Sequence, residues 1–247
     1  AAAPRWRVVF GSAGGRHRAV VAARRLTLPS PALQWLNYPQ PQSREVVESM
    51  SDGAREALAS AHAEGVPAVG AMVEFGARLL LAVPVDLQCC GDRPGGPEDR
   101  LRELEAATIN AAVLRALLGG GIQGTVVAGD FNLVASRAPL DRVAEGLDLN
   151  GRNLAIAESL RLTGQSNDTW SRRDSPFPPG RLDYLLYSES SLRLLRSFAF
   201  STADLAEPWR KRHRLETGDS EAASDHLPLV ADFQWRAARP KPPRAVR

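Results

Sequence analysis

Cysteine is nearly absent from this 247-residue chain: Cys89 and Cys90 stand side by side and there are no others. Neighbouring Cα atoms lie about 3.8 Å apart across a trans peptide, whereas ordinary disulfides want roughly 4.4–6.8 Å, so a bond between the two would be strained. A disulfide framework is therefore excluded, and so is a zinc site, which needs more Cys or His at ligand spacing. The cysteines leave the compartment open. Aromatic residues are scarce at 6% and rarely interleave with basic ones, which gives a stacking surface for single-stranded nucleic acid little support. No apolar run approaches the roughly 20 residues of a membrane-spanning helix, and residues 1–7 lack the basic-then-apolar order of a signal peptide. Gly119-Gly120-Gly121 runs into Ile122-Gln123, so there is no Gly-rich phosphate loop followed by Lys-Ser/Thr, and no Gly-x-Ser-x-Gly elbow occurs. His17, His62 and His213 lie among polar or basic residues and read as solvated.

What is present has the composition of an ordinary globular protein, 44% hydrophobic and 24% charged, with enough length for one large core. The formal charge of +3 is misleading, because the end of the chain holds Arg236, Arg239, Lys241, Arg244 and Arg247 and no acid. Residues 1–235 are slightly acidic and read as one domain; residues 236–247 read as a disordered, solvated, Pro-rich tail. The first residue is alanine, which suggests a processed product or a piece of something longer, and the chain is read as a monomer.

Apolar runs at 6–10 and 19–23, separated by Gly11, Gly14 and Gly15, predict two strands. Residues 28–50 carry four prolines and no sustained period, and read as irregular; residues 53–64 suit a short helix. Runs at 68–75 and 78–87 flank Gly76-Ala77 as a long hairpin. The clearest helix opens at Glu98 with Leu101, Leu104, Thr108, Ala111, Leu114 and Leu118 at three- and four-residue steps, and Gly119 to Gly121 stop it. A buried strand at 125–128, a helix at 154–162 and strands at 182–187, 192–200 and 227–233 complete a mixed α/β pattern.

Three polar clusters sit where apolar strands begin or end. Asp130 and Asn132 follow Val126-Val127-Ala128-Gly129; Arg181-Leu182-Asp183-Tyr184 opens a second strand; Ser224-Asp225-His226 heads the last one. Taken singly, each has a structural explanation as turn or cap chemistry. Charged groups at the ends of core strands are costly unless paired or bound to a cation, so the three together point to a common site.

In order and separation, Gly129-Asp130-Phe131-Asn132, Arg181-Leu182-Asp183-Tyr184 and Ser224-Asp225-His226-Leu227-Pro228 resemble the three C-terminal motifs of the endonuclease/exonuclease/phosphatase superfamily. The resemblance spans 68–233, and residues 6–26 look like the paired strands that follow the family's first metal motif. It implies a four-layer α/β sandwich of the DNase I-like type, here without its first strands, and divalent-metal hydrolysis of a phosphate ester, with Mg²⁺ or Mn²⁺ as the metal. It implies that Asp130 orients or deprotonates the attacking water, that Asn132 donates to a phosphate oxygen, and that Asp225 lies beside the metal. His226 would contact the phosphate or move protons, with Asp183 fixing its tautomer and favouring its charged form. Arg181 and Tyr184 would support Asp183, with Arg181 within reach of the phosphate.

Two departures qualify the resemblance. The family's main metal ligand is an early glutamate at the end of an apolar strand; Glu45, Glu48, Glu56 and Glu64 do not follow such a strand, and because residues 6–26 already resemble the segment after that motif, the resemblance leads us to expect the ligand upstream of Ala1. Where many relatives have a histidine touching the phosphate, this chain has Asp86, which reads as an extra metal ligand or as altered chemistry. The alternative to an enzyme is accordingly a silent relative that binds or scaffolds, and within the enzyme reading a nuclease is one choice beside a phosphatase or phospholipase. Substrate choice is expected to reside in residues 28–51, 91–97, 164–179 and 202–223, where a basic stretch over 210–214 offers contacts to a nucleic-acid backbone.

Overall fold

The computed structural model describes residues 5–15, 18–25, 27–39, 45–46, 48–49, 63–91, 93–134, 136–175 and 177–237. His17, His62, Glu56, most of the helix expected over 53–64 and the basic residues beyond 237 lie outside the described residues. Among the described residues there are eleven strands, in chain order Arg7–Phe10 (β1), Val20–Ala23 (β2), Thr27–Pro29 (β3), Ala71–Phe75 (β4), Arg78–Asp86 (β5), Gly124–Asp130 (β6), Ala155–Ile156 (β7), Leu160–Arg161 (β8), Asp183–Tyr187 (β9), Leu192–Ala199 (β10) and Leu229–Trp235 (β11). The α-helices that lie whole within the described residues are Pro97–Leu118 (α1), Ala138–Ala144 (α2), Glu207–His213 (α3) and Asp219–Ala223 (α4).

The apolar runs on either side of the early glycines pair as the antiparallel β1–β2 hairpin, and the expected β4–β5 hairpin forms around Gly76-Ala77. Six strands then make one sheet in the order β3-β4-β5-β6-β9-β7. Its one parallel pairing, β5 with β6, requires a long crossover, which α1 supplies. Strand alternation divides the side chains between two faces. Leu81, Val83, Val85, Val127 and Leu186 join Leu101, Ile109 and Val113 of α1 and Leu140 and Val143 of α2 in one buried cluster. On the opposite face Val126, Ala128, Leu185 and Tyr187 pack on Leu192 and Leu194 of β10 and Leu229, Ala231 and Phe233 of β11. The β1–β2 hairpin covers the rest of that face through Val21, Ala71, Val73 and Ala82. Each fully buried aliphatic side chain in these layers contributes about 1.5–3 kcal/mol.

Two expectations from the sequence do not hold. The helix expected over 154–162 is instead two short strands, because Ala155 and Ile156 pair with Tyr187 and Leu186 of β9 while Leu160 and Arg161 pair with Phe198 and Ala199 of β10. Backbone pairing with sheets already in place overrides the helical preference of Ala, Leu and Glu. The helix from Pro97 is present, but its buried stripe runs through Leu101, Arg102, Glu105, Ala106, Ile109, Ala112 and Val113. Leu118 is 78% exposed, while three charged residues, Asp99, Arg102 and Glu105, occupy buried positions that periodicity reserves for apolar ones. At the C-terminal side, Arg236 donates through Nε to the carbonyls of Glu189 and Leu192, so hydrogen bonding to the sheet continues into the first residue of the expected tail.

Candidate functional site

β5 and β6 run parallel and end at the same edge of the sheet, where antiparallel β9 begins. In register, Asp86 stands opposite Asp130, and Asp130 opposite Asp183, which lines up three acids across neighbouring strands. The chain returns to this edge just before β11, and His226 closes over the row. Its Nδ1 lies 2.8 Å from Asp183 Oδ2 and its Nε2 lies 3.7 Å from Asp130 Oδ2. Among the described residues, Asp130, Asp183 and His226 form a group whose ligand atoms all lie within 4.8 Å of one another.

The electrostatics follow from this geometry. The hydrogen bond to Asp183, with the charges of Asp183, Asp130 and Asp225 behind it, raises His226 to about 9 against the opposing effect of burial. Burial and the Asp183 carboxylate push Asp130 up to about 7, although the Asn132 N–H and His226 act the other way. Several carboxylates around one imidazole leave a surplus of negative charge. The donors are hard oxygens with a single imidazole, a set that fits Mg²⁺ or Mn²⁺ better than a soft metal.

The other residues singled out from the sequence are placed as follows. Asn132 is buried at φ 48°, its N–H donates to Asp130 Oδ1 and its Nδ2 donates to the Leu87 carbonyl at 2.7 Å. Asp225 is exposed next to His226 and accepts a 3.2 Å hydrogen bond from the Trp170 indole. Arg181 donates to the Ala157 carbonyl and lies 4.4 Å over the Tyr184 ring, while Tyr184 meets Phe131 edge-on. Asp86 is half-buried beside Asp130 and contributes to raising its pKa.

Two site residues went unread in the sequence. Thr169 is fully buried, and its Oγ1 accepts the N–H groups of Leu182 and Asp183, fixing the start of β9. Trp170 bridges to His226 and to Gly180, so part of the stretch expected to be a substrate loop is a wall of the site. A Thr-Trp pair between polar residues carries no periodic signal.

Behind the site, α1 holds residues 87–90 with charged groups. Glu105 accepts from the Tyr38 hydroxyl at 2.5 Å and from the Gln88 N–H at 2.7 Å, and Arg102 donates to the carbonyls of Gln88 and Cys90. Burial pushes the Glu105 carboxyl up to about 7 despite those hydrogen bonds. A carboxyl raised above its unfolded value of about 4.3 contributes stability that is complete below that value and is lost as pH rises through 7. Glu105→Gln is therefore expected to flatten the fall in urea midpoint between pH 5 and pH 7.5; an unchanged difference between wild type and variant across that range would contradict the assignment.

Fold and site together describe a mixed α/β protein with an acid–imidazole cluster at one edge of its main sheet. The model of the Endonuclease/Exonuclease/phosphatase family matches residues 12–226, and the chain belongs to that family, with an α/β fold of the DNase I-like type. No curated protein sequence matches it. Among solved structures, the human Nocturnin catalytic domain is 23% identical over 68% of this chain with a TM-score of 0.41, and this chain spans 52% of its length. The D. rerio TDP2 complex with a single-strand DNA product is 14% identical over 93% of this chain and 77% of that one, TM-score 0.49. An endonuclease/exonuclease/phosphatase from Bacteroides vulgatus is 12% identical over 94% and 77%, TM-score 0.49.

Proposed function

We propose that this chain hydrolyses a phosphate ester by attack of an activated water, with a divalent metal held by Asp130 and Asp225 and by Asp86. The observation that carries the reading is the Asp183–His226–Asp130 arrangement, two carboxylates set on either side of one imidazole ring. Asp130, at the end of β6 and facing the His226 ring, orients the attacking water or takes its proton. His226, kept charged by Asp183, presents an N–H to the phosphoryl oxygen or leaving group. Asn132 shares that task through its amide without adding charge, and Arg181 supports the start of β9, since its guanidinium is taken up by Ala157 and Tyr184. When bound, Mg²⁺ or Mn²⁺ supplies neutralisation of the phosphate's charge, which such a slow reaction requires.

Turnover of bis-p-nitrophenyl phosphate or p-nitrophenyl phosphate is expected with Mg²⁺ or Mn²⁺, absent with EDTA, and reduced by ~10²–10⁴-fold in Asp130→Ala and His226→Ala. No turnover of either ester, or of plasmid DNA, by the folded full-length protein would favour a silent scaffold. Within the phosphoesterase class the nuclease reading draws support from α3, where Trp209 is 54% exposed beneath Arg212 and next to Arg210 and Lys211. Cleavage of plasmid DNA that weakens steeply with added salt is its expected mark.

A further inference from the structure

Cys89 and Cys90 take no part in that chemistry, yet they lie on the loop that borders it. Both are exposed free thiols, and their sulfurs stand 2.8 Å apart, not far from the ~2.05 Å of a disulfide bond. Cys90 adopts φ 71°, a left-handed conformation that residues with a Cβ rarely enter. The fold holds it there with side chains that are costly to bury: Arg102 grips the carbonyls of Gln88 and Cys90 at 3.0 and 2.7 Å, and Glu105 accepts the Gln88 N–H. Arg102 and Glu105 are 0% and 1% exposed. On the other flank Leu87 donates its N–H to the Asp130 carbonyl at 2.9 Å and accepts the Asn132 amide at 2.7 Å. The pair is thus clamped between α1 and, through Leu87, Asp130 and Asn132.

We infer that Cys89 and Cys90 form a reversible vicinal disulfide, with a small-molecule disulfide as oxidant, and that its closing reshapes residues 87–90 and lowers the activity of the neighbouring site. In the first step the Cys90 sulfur attacks the external disulfide, forms a mixed disulfide and expels one thiol. Cys89 Sγ then displaces the second thiol from Cys90 Sγ, a step favoured by the closeness of the two sulfurs. Two electrons and two protons leave the pair, and the oxidant departs as two thiols. Adjacent Cα atoms are closer than a relaxed disulfide wants, so the bond is readily reduced, a property suited to control and unsuited to a staple. The loop can transmit the change because Leu87 is tied to both Asp130 and Asn132.

The activity readout rests on the phosphoesterase reading; the chemical readout does not. The full chain would be equilibrated with graded ratios of oxidised to reduced glutathione, its thiols trapped, and its peptides weighed. The expected result is a peptide bearing both cysteines that has lost two hydrogens and regains them with dithiothreitol, accompanied by a reversible ~10–100-fold fall in bis-p-nitrophenyl phosphate hydrolysis. A chain carrying both Cys89→Ser and Cys90→Ser is expected to keep its activity in every buffer. Glutathione retained on a single cysteine, a link between two chains, or a closed ring with unaltered hydrolysis would each overturn the proposal. If the reduced chain hydrolyses nothing, the phosphoesterase reading fails by itself, and Mn²⁺ titration calorimetry of the two redox forms decides: differing affinities support the control and equal ones overturn it.

Discussion

Exchanging Asp183 for Asn is expected to lower phosphoester hydrolysis by ~10²–10⁴-fold and to move the alkaline limb of the pH–rate profile down from about 9. The Asp183 carboxylate is 2.8 Å from His226 Nδ1 and is the largest cause of that histidine's raised pKa. A neutral amide can accept from the same nitrogen but supplies no negative charge, so the imidazolium loses its main support and deprotonates nearer the ordinary value of ~6.5. The sign carries over to stability. A histidine with a raised folded pKa contributes stability that is complete below the unfolded value and is lost as pH rises through 9, and Asp183→Asn removes that contribution. The anchoring of residue 183 survives, because Thr169 holds its backbone N–H and not its side chain. The ratio kcat/KM followed against pH, with the His226 ring titrated by NMR, checks both parts; an alkaline limb that stays near 9 in the variant would contradict the assignment.

Gly129→Ala is expected to destabilise the fold toward the ~4–5 kcal/mol end of single-residue effects and to abolish hydrolysis along with it. Gly129 adopts φ 146°, and a Cβ there would sit 2.0 Å from the Val85 carbonyl oxygen and 3.0 Å from its carbon and nitrogen. Those atoms belong to the neighbouring parallel strand, so no side-chain rotation relieves the clash and β5 and β6 must part. Asp86 and Asp130, in register one residue further on, would part with them. Urea denaturation gives the stability change directly, and a midpoint close to that of the wild type would show that the sheet absorbs the methyl group at little cost.

Much of the site was legible in the sequence because its chemistry sits at strand ends, where polar residues interrupt apolar runs. Asp130, Asp183 and His226 could be grouped on that basis, and the structure brings these three together. Asp225 and Asn132 were grouped with them, and they lie alongside with their hydrogen bonds directed to Trp170 and Leu87. Thr169 and Trp170 were not legible, since their roles depend on meeting Asp183 and His226 from a distant part of the chain. The same limit applied to α1. Its length, start and stop could be read locally, whereas its buried face could not, because Arg102 and Glu105 are buried for the sake of residues 87–90. Strands β7 and β8 read as a helix in sequence for a related reason: each is two residues long and is defined by partners on β9 and β10. The cysteines were legible as a strained pair, but their link to Asp130 and Asn132 runs through Leu87 and has no sequence signature.

The acid row draws Asp86, Asp130 and Asp183 from three strands, and none of these pairings is local. β5 reaches β6 only across the α1 crossover, and β6 reaches β9 only across α2, β7 and β8. The chain entropy of both closures has to be overcome before any carboxylate meets its neighbours. Helix α1, built from contacts a few residues apart, can form in about a microsecond, far ahead of the sheet. During refolding, helicity should therefore return first and catalytic competence last, so that recovered turnover dates the final closure of the central strands.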